Sequence, residues 1–186
     1  MIKELVKKNR SYRRFYQDKK LTKQQLMELV EVARLTPSAA NRQPFKYRIV
    51  CDEEENEKVF RLLGFAGYLK DWDGPSEGEK PTGYIVITSP ANVNDEVDAG
   101  IVGQTMLLAA TEAGFGGCFF GNVKREELKA QLNIPSELKI VYVIAFGYPK
   151  EEVVLEDIPA DGDIKYYRDE NQVHHVPKKR IEDIVL

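Results

Sequence analysis

Between Asp95 and Ala113 almost every position is apolar or small, with Val97, Ala99, Ile101, Val102, Met106, Leu107, Leu108, Ala109 and Ala110 spread around every side of a helical wheel. A helix of that kind is either central and buried or packed against a partner subunit. Gly114 supplies its C-terminal cap. The rest of the chain has to be arranged around this element.

Ahead of it, Ile2, Leu5 and Val6 recur at helical spacing, and a second amphipathic helix runs through Leu26, Leu29, Val30 and Ala33. Thr22 and Gln25 form a capping box at its start. It stops before Pro37, which leaves 38–43 as a loop. Tyr47 to Cys51 and Tyr84 to Thr88 read as strands, with a helix around Val59 to Leu63 between them. Lys70 to Gly83 is rich in turn formers and predicts a poorly ordered surface excursion. After the central helix come a strand at Cys118 to Phe120, a helix from Arg125 to Leu132 stopped by Pro135, and a strong strand from Ile140 to Phe146. Pro149 to Leu186 carries scattered prolines and charges and too few apolar residues for a second core, so an arm lying on another surface is expected.

At 186 residues and 42% hydrophobic content, the chain suits a single domain, 1–186, with a core over 1–148 and an arm over 149–186. A net charge of -3 gives no basic field for nucleic acid. The apolar stretches are short, and Met1 to Arg10 is too charged for a signal sequence, so neither a membrane nor an export route is expected and the location is cytoplasmic. Two cysteines without paired spacing and two adjacent histidines predict neither disulfide nor metal, and Cys51 and Cys118 read as core residues.

Three distant segments carry the candidate chemistry. Arg10, Ser11 and Arg13 offer two guanidinium groups and a hydroxyl to a phosphate, or form a solvated basic turn. Pro37-Ser38-Ala39-Ala40-Asn41-Arg42-Gln43-Pro44 has a backbone fixed by prolines, small alanines that admit a planar ligand, and amide donors and acceptors; it also suits a plain helix-to-strand connection. The tail Lys178-Lys179-Arg180 adds further cations. Together they suit a phosphorylated flat ring, which points to flavin mononucleotide (FMN). Gly121-Asn122, at the end of the Cys118–Phe120 strand, can present backbone N–H groups to a ligand edge or make a tight turn. His174 and His175 read as members of a solvated arm, and Phe65, Tyr68 and Trp72 as local loop packing.

Over essentially the whole length, from Arg10-Ser11 and Arg13-Arg14-Phe15 through Pro37 to Pro44, Asp98-Ala99-Gly100 and Gly114 to Gly117 to the final cations, the chain resembles the FMN-dependent nitroreductase family. The resemblance implies an α+β homodimer around a mostly antiparallel sheet flanked by helices, with long central helices at the interface and a C-terminal arm crossing to the partner. It implies that Arg10, Ser11, Arg13, Lys178 and Arg180 hold the FMN phosphate and ribityl chain. Pro37, Ser38, Ala39 and Asn41 would reach the flavin held mainly by the other subunit, and Phe120, Gly121 and Asn122 would lie beside the ring. Asn9 stands where many members have Arg, Gly121 and Asn122 stand where glutamate or glycine is frequent, and Phe65 to Gly83 does not align. The implied activity passes electrons from NADH or NADPH through FMN to a small-molecule acceptor such as a nitroaromatic, quinone or flavin, with no side chain assigned to proton transfer. The alternative is an FMN-binding sensor or storage protein without turnover.

Overall fold

A computed structural model describes residues 1–93 and 95–186. The central sheet has strand order β1 (Lys46–Val50), β2 (Gly83–Pro90), β4 (Leu138–Gly147), β3 (Gly116–Phe120), every neighbouring pair antiparallel. Because successive side chains in a strand point to opposite faces, β2 and β4 feed two separate cores. Ile85, Ile87, Ile144 and Phe146 meet α2 (Lys23–Arg34) and α4 (Glu96–Glu112) on one face. Tyr84, Val86, Val143 and Ala145 meet α3 (Glu53–Phe60) and α5 (Arg125–Gln131) on the other. Helices cover both faces, which explains why β2 is buried along nearly its whole length. α1 (Ile2–Lys8) lies against α4.

Local signals explain most boundaries. The Thr22–Gln25 capping box is formed at the start of α2. Asp52 caps α3 by accepting the N–H groups of Glu54 and Glu55, so that helix starts at Glu53, ahead of the apolar cluster that marks it in the sequence. Leu62 and Leu63 instead follow it as a turn packed into the second core. α4 is central as expected. Ala99, Val102, Met106, Leu107 and Ala110 are buried against the sheet, while Val97, Gly100 and Gln104 remain exposed. Cys118 is buried in the second core, and Cys51 is half-buried against the first.

Two expectations need correction. The 70–83 excursion has little regular structure, yet it is tied down. Glu79 receives both Nε and Nη2 of Arg14 at 2.7 Å and Lys150 Nζ at 3.0 Å, and Trp72 meets Phe65 edge-on at 6.0 Å. The tail is also more than an arm, because it folds into a second sheet of order β5 (Val153–Ile158), β7 (His174–Lys179), β6 (Tyr167–Arg168). Pro177 is tolerated in β7 because β6 pairs only with His174 and His175, which leaves that edge free beside the proline. Charged and aromatic contacts hold this sheet to the body. Arg168 pairs with Glu151 at 3.0 Å and lies over Trp72 at 4.2 Å.

Candidate functional site

The loop after α1 is stitched to the sheet edge: Ser11 bridges Gly117 of β3, the Tyr12 N–H donates to the Gly117 carbonyl at 3.1 Å, and Phe15 is fully buried opposite Pro149. Glu151 accepts the backbone N–H groups of both Arg13 and Arg14. This stitching turns Arg10, Ser11 and Arg13 toward one cavity of about 310 Å³. Gln104 of α4 closes one side, and His174, Val176 and Lys178, at alternating positions of β7, close another.

The electrostatics of the cavity are unbalanced. Arg14 and Arg168 have carboxylate partners, whereas Arg10 and Arg13 have none among the described residues. Arg10 Nη2 donates to the Val6 carbonyl at 2.6 Å and Arg13 Nη1 to the Ser11 carbonyl at 3.2 Å. Burial pulls the Arg10 guanidinium below its usual range, and its Nε is buried with no partner. Cations gathered in partly buried space without acids are poised for an anion, since an unpaired buried charge is unfavourable. Of the expected residues, Arg10, Ser11, Arg13 and Lys178 meet here, while Arg180 lies exposed just past the end of β7 and off the cavity wall.

The 36–43 loop faces elsewhere. Ser38 lines a separate cavity of about 170 Å³ with Thr36, Gln43, Phe45 and Tyr47. The loop is held in one shape by local bonds. The Ala39 N–H donates to the Asp98 carboxylate at 3.1 and 3.2 Å, Ser38 Oγ accepts the Gln43 N–H at 3.2 Å, and Gln43 Nε2 donates to Asn41 Oδ1 at 3.1 Å. Ala40, Asn41 and Gln43 have φ of 51°, 53° and 48°. Such left-handed conformations are strained for residues other than glycine, and strain of this kind clusters at ligand clamps. Pro37, Ala39 and Asn41 are exposed on its surface. Val102 lines this second cavity and Gln104 the first. Two residues apart is about 200° around a helix, so the two cavities lie on opposite faces of α4.

At the far end of β3 the Phe120 ring is buried edge-on against Phe65 at 4.9 Å, so only its backbone is available to a ligand. Gly121 and Asn122 are exposed, their carbonyls accepting from Arg125 Nη2 at 3.0 Å and the Gly64 N–H at 2.9 Å.

His174 and His175 depart most from expectation. His174 is 1% exposed and sits on the cation cavity, where burial first, and then Arg13, Arg168 and His175, hold its pKa down to about 4. His175 is stacked on Tyr167 and lies between Glu156 and Asp169, 2.5 and 3.3 Å away; the Glu156 hydrogen bond chiefly raises its pKa. The signal that could have found His174 is the two-residue period that links it to Lys178. Among the described residues no helix is long and apolar enough to cross a membrane, and no group of acidic, cysteine or histidine side chains could hold a metal ion.

Comparison with known proteins fits this layout. The model of the Nitroreductase family matches residues 6–66 and 75–148, so it leaves out part of the 70–83 excursion and the whole tail sheet. A protein of Archaeoglobus fulgidus, provisionally named as an NADH dehydrogenase/NAD(P)H nitroreductase, is 27% identical over 149 residues, covering 75% of this chain and 80% of its own. The iodotyrosine deiodinase of Thermotoga neapolitana is 28% identical over 169 residues, covering 81% and 90%. Among solved structures, an FMN-dependent nitroreductase of Clostridium difficile R20291 superposes with a TM-score of 0.65 at 25% identity, covering 82% of this chain and 89% of that one. The α+β architecture, the stitched N-terminal loop and the family match agree, and the chain belongs to the nitroreductase family.

Proposed function

We propose that this protein is an FMN-dependent oxidoreductase that takes electrons from NADH or NADPH and passes them to a small acceptor such as a nitroaromatic, a quinone or a free flavin. The observation that carries this reading is the cavity in which Arg10 and Arg13, without acidic partners among the described residues, converge with Ser11 and Lys178. That donor set suits a phosphate monoester. From Gly117 beside Ser11 the chain runs along β3 to Gly121, just past its end, about 13 Å away. One elongated ligand can therefore reach both the cations and the exposed strand end.

When bound, FMN supplies the hydride and electron chemistry, which no side chain here provides. The chain binds and orients. Arg10, Arg13 and Lys178 hold the anionic end, backbone groups at Phe120, Gly121 and Asn122 flank the ring, and Arg180, off the cavity wall, takes no direct part. Because α4 separates the two half-sites, Pro37, Ser38, Ala39 and Asn41 come from a second copy, so the working unit is a homodimer of single-domain chains. The tail beyond Pro149 then serves as the arm, its exposed Ile181, Ile184, Val185 and Leu186 meeting the partner.

The purified protein is expected to be yellow and to bleach within one mixing time when NADH or NADPH is added without oxygen. A colourless protein that takes up no added FMN rejects the reading. Protein that binds FMN but stays yellow with both nucleotides favours the second reading, a binding protein without turnover, for which Asn9 on the cavity wall in place of a further cation is the motive. A panel of nitroaromatic, quinone, free flavin and halophenol acceptors then ranks the substrates, the last included because of the deiodinase relative.

A further inference from the structure

His174 makes no bond through Nδ1, and its Nε2 stands 3.5 Å from Arg13 Nη1. A guanidinium only donates, and two N–H groups cannot face each other at that separation, so Nε2 is the bare nitrogen and the ring proton sits on Nδ1. The result is a buried N–H with no protein acceptor, on a side chain that lines the cation cavity. Buried donors are nearly always paired. Arg13 approaches from the loop after α1, Arg168 comes from β6, His175 adjoins in β7, and the Tyr166 ring lies 5.2 Å away; in this setting the imidazole is neutral near pH 7.

We propose that His174 is a specificity residue for the phosphate end of the ligand: its neutral Nδ1–H donates to a phosphate oxygen, and Arg13 fixes the tautomer. This rests on the FMN reading above. The tail sheet thus recognises the ligand by a neutral donor as well as by cations, and the donor discriminates a phosphorylated flavin from its dephosphorylated form.

The test titrates wild type, His174→Asn and His174→Gln with FMN and with riboflavin. An Asn amide falls near the Nδ1 position and a Gln amide near Nε2. Expected are FMN affinity within about threefold of wild type for the Asn variant, a loss of about tenfold for the Gln variant, and equal riboflavin affinity in all three. A Gln variant that binds FMN as tightly as wild type, or a parallel fall in riboflavin affinity, overturns the inference and leaves the FMN reading standing. Wild type that binds no FMN overturns both. Nitrogen-15 NMR of the histidine-labelled FMN complex checks the tautomer without any substitution, and a proton on Nε2 overturns it.

Discussion

Glu79 joins the 70–83 excursion to the N-terminal loop, with its side chain 12% exposed. The Arg14 hydrogen bond is the main reason its carboxyl is held down to about 2, and Lys150 adds to it. A pKa below the ordinary carboxylate value stabilises the fold fully above about pH 5, and that contribution is lost as pH falls toward 2. Glu79→Gln should therefore lower the unfolding free energy by about 2 kcal/mol at pH 7, with the gap to wild type closing as pH falls below 4 in urea melts. Arg10 and Arg13 are different, because they lack acids to stabilise. Arg10→Ala combined with Arg13→Ala should leave the fold intact yet weaken FMN by at least about a hundredfold, since each charge-assisted bond contributes about 1.5 to 3 kcal/mol; equilibrium dialysis measures it. Their candidacy for an anion site is legible in the sequence from residue type, but spacing alone leaves a solvated basic turn open, and it is the shared cavity that brings them together. That of His174 is less so, because one of two adjacent histidines in a polar tail gives no sign of its burial, and only the two-residue period toward Lys178 hints at its place.

β3 is the element on which the site is built, and Gly117 is its tightest point. A Cβ there would stand 2.3 Å from the Ala145 backbone carbonyl of β4 and 3.0 Å from Leu107. Backbone cannot step aside as a side chain can, so Gly117→Ala should destabilise by about 3 kcal/mol, read from thermal or urea unfolding. The tail sheet carries its own pH dependence. His175 ties β7 to Glu156 of β5 and to Asp169 beyond β6, and its pKa is raised above the ordinary histidine value. That contribution is complete below about pH 6.5 and lost as pH rises through the raised value. Hydrogen-exchange protection of β5 and β7 should thus drop as pH climbs from 6.5 to 8.5, and His175→Gln should remove the drop. Elements with a strong local signal are legible in the sequence: α2 by its amphipathic spacing, α4 by its nearly unbroken apolar content, β2 and β4 by their runs of β-branched and aromatic residues. The tail strands are not: β6 is two residues long, β7 is poor in apolar residues and interrupted by a proline, and β5, though rich in Val, Leu and Ile, finds its partner only far along the chain, so pairing decides what local pattern cannot.

For the whole molecule the decisive feature is α4 standing between the cation cavity and the 36–43 loop. If each site takes its cavity from one chain and its loop from another, two different defects can complement. The Arg10→Ala, Arg13→Ala chain keeps its loop, and an Asn41→Ala chain keeps its cavity. Co-expressed, they should recover FMN binding in a substantial fraction of sites, although neither binds well alone; absence of recovery would place the whole site within one chain. A site shared between two chains would also tie flavin retention to pairing. If each site spans two subunits, dilution that parts them should release both flavins, so the flavin that travels with the chain through rapid gel filtration should fall on dilution and recover on reconcentration.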